Sequence, residues 1–212
     1  MKIIDLTHTI SPDMPCFPGD ESPRFESVSN YEKDGFKESL ITISSHTGTH
    51  VDPPAHIFPN GRTLDSFSIS QFVGKALVID CRDVRDSIEI ERVRRYGEKA
   101  ILADFLLFNL GWDKRWGSEN YFGDYPCISP EIIDFVKDTH KKGIGFDVIS
   151  LDAIADSNLA RHKALFQDTD ILNFENLKNL ALCGDDLFWF FALPLKLENC
   201  DGAPVRAIAF WE

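Results

Sequence analysis

The sequence predicts a mixed α/β fold, in which a largely buried sheet of short strands is interleaved with a few helices. Eight short apolar runs have the length of strands, and many are apolar on both faces, which is typical of a sheet covered on both sides. The helix patterns lie between these runs, as in a mixed α/β domain. No repeat, low-complexity tract or linker divides the 212 residues, so we expect a single domain over residues 1–212.

The predicted strands are apolar runs bounded by polar or turn-forming residues. They cover residues 3–6, 40–44, 76–80, 100–110, 146–151, 171–174, 187–193 and 205–210. Because several of them lack any polar alternation, we expect most of the sheet to be buried.

The clearest predicted helix covers residues 129–142. Ser129 can cap its first turn, Pro130 suits the first helical position, and Gly143 supplies a stop after two lysines. A second helix is predicted over residues 157–166, with Asp156 or Ser157 as its cap.

The charge of the chain argues against a nucleic-acid partner. The formal net charge is -12, and phosphate binding needs clustered lysines and arginines. The densest basic cluster, at residues 92–95, is interleaved with glutamates and is interpreted as a solvated surface. The acidity keeps the chain soluble and says little about its fold.

Cysteine usage and hydropathy predict a cytoplasmic protein without a membrane segment. The five cysteines are far apart and form no C-x-x-C pair, which indicates reduced thiols. The most apolar stretch, residues 187–197, is much shorter than the ~20 residues of a membrane helix. The first ten residues lack the apolar core of a signal peptide.

The stretch with the clearest chemistry is HTGTHVDPPAH at residues 46–56. His46, His50, Asp52 and His56 supply imidazole nitrogens and a carboxylate, which are ligands that divalent first-row metals take. The glycine and the two prolines exclude a helix, so we expect the first two histidines to follow the strand at residues 40–44.

Three interpretations of this stretch remain open from the residues alone. The side chains could be polar loop residues satisfied by the backbone, ligands of a structural metal, or ligands of a catalytic metal. Structural zinc sites are usually closed and rich in cysteine, and no cysteine lies in this stretch. The composition therefore favours a catalytic metal with an open position.

The pattern H-x-G-T-H-x-D-x-P-x-H is similar to the signature of the cyclase-like metal-dependent hydrolases, a family that includes bacterial kynurenine formamidase and isatin hydrolase. The resemblance extends along most of the chain, from residues 15–20 to residues 202–206. It implies a swivelling β/β/α arrangement with a mixed sheet, and a homo-oligomer, most simply a dimer.

The resemblance also implies how the site residues divide their roles. His46, His50 and Asp52 would hold one metal, zinc or manganese, and Asp52 would bridge to a second. His162 and Glu175 match the remaining ligands of that second metal, so up to two ions per chain are expected.

A substrate and a reaction follow from the same resemblance. His56 matches the family's proton-transferring histidine, and metal-activated water would attack an aryl formamide or a cyclic amide. Phe17 stands where the family usually has tryptophan, and it would form an apolar wall for a flat ring. Two alternatives stay open: a metal-dependent lyase or cyclase acting on an aromatic or polyketide-like substrate, and a non-enzymatic metal-binding protein.

Overall fold

The computed structural model describes residues 1–212, and strands dominate its architecture. The strands are β1 (Lys2–Asp5), β2 (Arg24–Ser29), β3 (Glu38–Thr42), β4 (His50–Asp52), β5 (Val73–Asp80), β6 (Ser87–Ile88), β7 (Phe105–Asn109), β8 (Cys127–Ile128), β9 (Gly143–Phe146), β10 (Leu172–Glu175), β11 (Phe188–Pro194) and β12 (Ala203–Trp211). Eight of them form one sheet in the order β1-β12-β11-β5-β7-β9-β10-β4. Because β12 also pairs with β4, seven of these strands close into a barrel-like core. The mixed sheet in a single α/β domain confirms the predicted fold class.

The five helices are short, and all but the first connect parallel strands of the sheet. They are α1 (Tyr31–Asp34), α2 (Ile90–Arg94), α3 (Glu98–Leu102), α4 (Pro130–Asp138) and α5 (Ala160–Phe166). Strands β5, β7, β9 and β10 run parallel, and α2 to α5 lie in the crossovers that parallel pairing requires. None of these helices has the length and the apolar character that crossing a membrane would take.

The central strands β7, β9 and β10 are buried on both faces, as the apolar runs predict, whereas β1, β11 and β12 leave one face partly exposed. Along β7, Phe105 and Leu107 pack into one core cluster, whereas Leu106 and Phe108 pack into another. Successive side chains of a strand point to opposite faces, so a strand between two cores has no polar position. Because both faces of β7 meet a core, residues 105–108 are all apolar.

Two small strand pairs stand outside the main sheet. Strands β2 and β3 form an antiparallel hairpin around α1, and β6 pairs with β8 in parallel. Every residue of β3 is exposed, so the predicted strand at residues 40–44 exists with shifted bounds but is not buried.

Two other predicted strands differ from the structure at their ends. The run at residues 100–110 is a strand only from Phe105, because α3 takes its first part with Ile101 and Leu102 largely exposed. The predicted strand at residues 146–151 overlaps the observed strand only at its first residue, because β9 ends at Phe146. Asp147 leaves the sheet there, and its carboxylate accepts hydrogen bonds from two backbone N–H groups.

Both predicted helices are shorter than their sequence patterns. The first ends at Asp138 because Lys141 is buried and donates its Nζ to the carbonyl of Ile101 instead of extending the helix. Gly143 begins β9 and is therefore not a helix stop. Ser129 occupies the cap position without a side-chain hydrogen bond. The second helix begins at Ala160, three residues later than predicted.

Candidate metal centre

Strand pairing builds the candidate metal centre from two distant parts of the sequence. Strand β4 lies antiparallel to β10, with His50 opposite Glu175 and Asp52 opposite Asn173. Residues directly opposite each other in such a pair project from the same face. The pairing therefore collects side chains of the histidine-rich stretch and of β10 on one face of the barrel.

The first group of potential ligands is His46, His50 and Asp52, as the motif predicts. Oδ1 of Asp52 lies 2.8 Å from Nδ1 of His46 and 3.2 Å from Nε2 of His50. Asp52 and His50 are buried, and His46 is half-buried. The three potential ligand atoms lie within 4.8 Å of one another, and only His46 is partly exposed to solvent.

The second group is Asp52, His162 and Glu175. Nε2 of His162 lies 3.3 Å from Oε1 of Glu175 and 3.7 Å from Oδ2 of Asp52. All three side chains are buried. Asp52 belongs to both groups through its two oxygens, so the structure brings together the five residues that the resemblance assigns to metal binding.

Each ligand histidine is oriented by an acceptor at its other ring nitrogen. Nδ1 of His50 lies 2.8 Å from the carbonyl oxygen of Gly48, and Nδ1 of His162 lies 2.7 Å from Oδ2 of Asp152. Nε2 of His46 lies 3.2 Å from Oδ2 of Asp201. A hydrogen bond donated by one ring nitrogen fixes the tautomer of the histidine and leaves the other ring nitrogen free to bind a metal.

The turn before β4 is held by its own hydrogen bonds. Gly48 has a φ of +66°, and a Cβ there would lie 3.2 Å from Cγ1 of Ile10, so this position favours glycine. Thr49 Oγ1 accepts the backbone N–H of His8 and donates to the carbonyl of Asn176 at 2.6 Å. These contacts hold the backbone of residues 48–49, which connects His46 to His50.

Gly202 packs directly against the ring of His46. A Cβ on Gly202 would lie 2.6 Å from Cε1 of the His46 ring, which is closer than side chains approach one another. Sequence reasoning assigned no role to Gly202, Asp201, Asp152 or Asn173. Asp152 and Gly202 lie in segments that resemble the family, at residues 150–152 and 202–206, whereas Asp201 has no such signal. In the structure the carboxylate of Asp152 also accepts the backbone N–H of His162.

The charges in the two groups of potential ligands favour the binding of a cation. Burial alone would lower the pKa of His46, but hydrogen bonds to Asp201 and Asp52 raise it to about 9. Burial likewise opposes the charge of His50, yet the adjacent carboxylates raise its pKa to about 10. The neighbouring histidines hold the pKa of Asp52 well below its usual value against the cost of burial. The carboxylates therefore attract positive charge, which a divalent ion supplies when it replaces the protons.

His56 lies beside both groups without joining their hydrogen-bond network. Its ring centroid is 4.1 Å from that of His46 and 5.6 Å from that of His162. Burial lowers the pKa of His56, which favours the neutral ring. His46, His56 and Asp201 also lie close enough to form a third group of potential ligands, with Asp201 exposed.

Phe17 lies in a different part of the surface. It lines a shallow groove with Met14, Cys16, Ser118 and Phe122, and none of the metal-group residues lines that groove. Phe17 is half-buried and packs against the same core cluster as Ile57 and Phe58, which follow His56. The structure therefore connects Phe17 to the site through packing and does not place it beside the histidines.

The chain is similar to known proteins along most of its length. Residues 4–153 match the family model described as "Putative cyclase". A kynurenine formamidase from Salinibacter ruber is 31% identical, with 98% of this chain and 97% of the relative covered. A kynurenine formamidase from Bacillus cytotoxicus is 32% identical, with coverage of 97% and 95%.

A solved structure with similar coverage is isatin hydrolase A from Labrenzia aggregata bound to benzyl benzoate. It has a TM-score of 0.84 and 27% identity, and the match covers 98% of this chain and 93% of that chain. The similarity therefore spans the whole fold, including both strands that build the metal groups.

Proposed function

The chain belongs to the cyclase family of metal-dependent hydrolases, and we propose that it hydrolyses the amide bond of an aryl formamide or a small cyclic amide. Its relatives are named for hydrolysis of these two kinds of substrate. The proposal rests above all on Asp52, whose two oxygens are shared between two groups of potential metal ligands next to a free imidazole.

His46, His50 and Asp52 would hold one divalent ion, and Asp52, His162 and Glu175 are the group that the family resemblance assigns to a second. When bound, such an ion polarises a carbonyl oxygen and lowers the pKa of a coordinated water to about 7. Imidazole and carboxylate donors suit zinc or manganese. The outer acceptors Asp152 and Asp201 keep the histidine rings in the orientation that binding requires.

His56 moves the proton of the reaction. Its ring makes no hydrogen bond to another residue and lies against the ligand rings, so it can reach both the attacking water and the substrate nitrogen. As the new C–O bond forms and the C–N bond breaks, His56 takes the proton of the water and delivers it to the departing nitrogen. Phe17 lies in a separate groove and not beside the histidines, so Ile57 and Phe58, which follow His56 in the chain, take its place as the proposed apolar wall for the substrate ring.

A panel of N-formyl anilines, lactams and isatin-like cyclic amides tests this function. With metal restored, we expect formate and free amine from the formamides, or ring-opened acids from the cyclic amides, identified by mass spectrometry. Products of elimination or cyclisation would instead assign the chain to lyase chemistry. No turnover on the whole panel would contradict amide hydrolysis.

We further propose that the protein is a cytoplasmic homodimer in which residues 1–212 form one domain. All five cysteines are free, which suits a reducing compartment. The hairpin of β2 and β3 exposes Phe25, Val28, Leu40 and Ile41, and an isolated two-stranded hairpin is marginal by itself. A second copy of the chain would cover the exposed side chains of this hairpin. Sedimentation analysis should give a dimer, and Leu40→Ser together with Ile41→Ser should shift it to monomer.

A further inference from the structure

Asn173 is a fully buried amide in the middle of the second ligand group. It lies on β10 opposite Asp52 and two residues before Glu175. Because side chains two residues apart share a face of a strand, Asn173 projects to the same side as Glu175. An amide at this place is unexpected among metal ligands, since its NH₂ end cannot bind a cation.

The NH₂ end of Asn173 faces the ligand atoms of the second group. Nδ2 lies 3.0 Å from Oδ2 of Asp52 and 2.8 Å from Oε1 of Glu175. It lies 3.4 Å from Nε2 of His162, the nitrogen left as an acceptor when Nδ1 donates to Asp152. The amide therefore donates its two N–H groups to Asp52 and Glu175 and lies 3.4 Å from the third atom that a second cation would need.

Glu175 has little capacity left at the oxygen that faces this group. Oε1 already accepts the backbone N–H of Leu151 at 2.7 Å as well as the amide of Asn173. Its other oxygen faces the first group, 3.4 Å from Nε2 of His50. The carboxylate is thus divided between an amide on one side and the first metal position on the other.

We propose that the amide of Asn173 takes the place of the second cation, so that the chain binds one divalent ion at His46, His50 and Asp52. A cation bonded to the three atoms of the second group would lie about 2.0–2.2 Å from each, in the space that the amide hydrogens fill. The inference rests on the proposed metal-dependent function and specifies how many ions that function uses.

The opposite orientation of the amide would place its oxygen among the same three acceptors. Two carboxylate oxygens and an imidazole lone pair would then face another acceptor, whereas the NH₂ end makes two hydrogen bonds to carboxylates, which are stronger than neutral ones. In the present orientation Oδ1 is buried without a partner. One unpaired neutral carbonyl is a smaller loss than two unmade bonds to charged groups.

Metal stoichiometry tests the inference without reference to catalysis. Metal-stripped protein is loaded with excess Zn²⁺ or Mn²⁺, passed over a desalting column and analysed by elemental mass spectrometry. We expect one ion per chain for the wild type and two for Asn173→Ala, because removal of the amide frees the three acceptors. Asn173→Ser should behave as Asn173→Ala does and provides a second variant if the first folds poorly.

Two controls separate this effect from general loosening. Asn109→Ala removes another buried amide, on β7 two strands away from β10, and should keep one ion per chain. Adding Glu175→Gln to Asn173→Ala should return the count to one. Two ions in the wild type, or one in both Asn173 variants, would overturn the role of Asn173 and leave the proposed function intact. A wild type that holds no ion would overturn the proposed function as well.

Discussion

His50 and Glu175 lie opposite each other in the antiparallel pair of β4 and β10, with Nε2 of the histidine 3.4 Å from Oε2 of the glutamate. This register joins the histidine-rich stretch to a carboxylate far along the chain. Backbone pairing therefore fixes the distance between the two halves of the site before any metal binds.

Asp201→Ala should weaken metal binding about 10- to 100-fold, because Asp201 accepts a hydrogen bond from the ring of His46. The carboxylate is half-exposed, so the fold should survive its removal. Titration calorimetry of the stripped protein with Zn²⁺ measures the affinity. Glu198→Gln, an exposed neighbour, serves as the control, and equal affinities in both variants would show that Asp201 does not orient His46.

Gly202→Ala should also reduce metal affinity, by at least about tenfold. The added Cβ would lie 2.6 Å from Cε1 of His46, so the ring would have to leave the position in which it faces Asp52. Gly123→Ala is a matched control, because the nearest atom to its Cβ would be the Asn120 carbonyl at 3.3 Å. Unchanged affinity in Gly202→Ala would mean that the His46 ring adjusts freely.

His56→Gln should lower kcat by about 10²- to 10⁴-fold, the usual contribution of a positioned proton-transfer group. Its metal content should equal that of the wild type, because His56 is proposed to transfer protons and not to bind the ion. Elemental analysis and turnover on the same sample give both values. Loss of an ion together with activity would instead identify His56 as a ligand.

The ligand motif could be predicted from sequence because its chemistry is local. His46, His50 and Asp52 lie within a few residues of one another, so their types and spacing alone indicate a metal. His162 and Glu175 were assigned through resemblance only, since nothing near them in the sequence points to a ligand. Glu175 reaches the motif through the pairing of β10 with β4, and His162 reaches it from α5, a tertiary arrangement that periodicity does not predict.

The supporting residues escaped sequence analysis for the same reason. Asp201 and Gly202 precede β12, whose Ala203 and Pro204 pair with Val51 and His50 of β4. This closure of the barrel brings them to His46. The helix errors have a similar cause: Lys141 resembles a helix-terminal lysine in sequence, but tertiary packing buries it against Ile101.

His8 should make the protein sensitive to acid. Its ring stacks on Trp116 with centroids 3.9 Å apart, and burial, followed by the charge of Lys178, lowers the pKa of His8 to about 4. The unfolded chain binds the proton near pH 6.5. The folded state therefore loses stability as the pH falls from 6.5 toward 4, by at most about 3 kcal/mol from this group.

Urea unfolding of His8→Phe at several pH values checks this sign. The variant keeps an aromatic ring against Trp116, so its free energy of unfolding should fall less than that of the wild type between pH 6.5 and 4. Exposed His140, replaced in His140→Asn, should leave the wild-type slope unchanged. Parallel slopes for wild type and His8→Phe would rule out a contribution from His8.

Metal-dependent amide hydrolysis is tested most directly by titrating stripped protein with Zn²⁺ or Mn²⁺ while formate release from an N-formyl aniline, or ring opening of a cyclic amide, is followed. We expect no turnover without metal and a rate that rises in proportion to bound ion. The rise should end when the group of His46, His50 and Asp52 is filled. Turnover that persists in the stripped protein, or that stays absent when bound metal has been verified, would contradict the account.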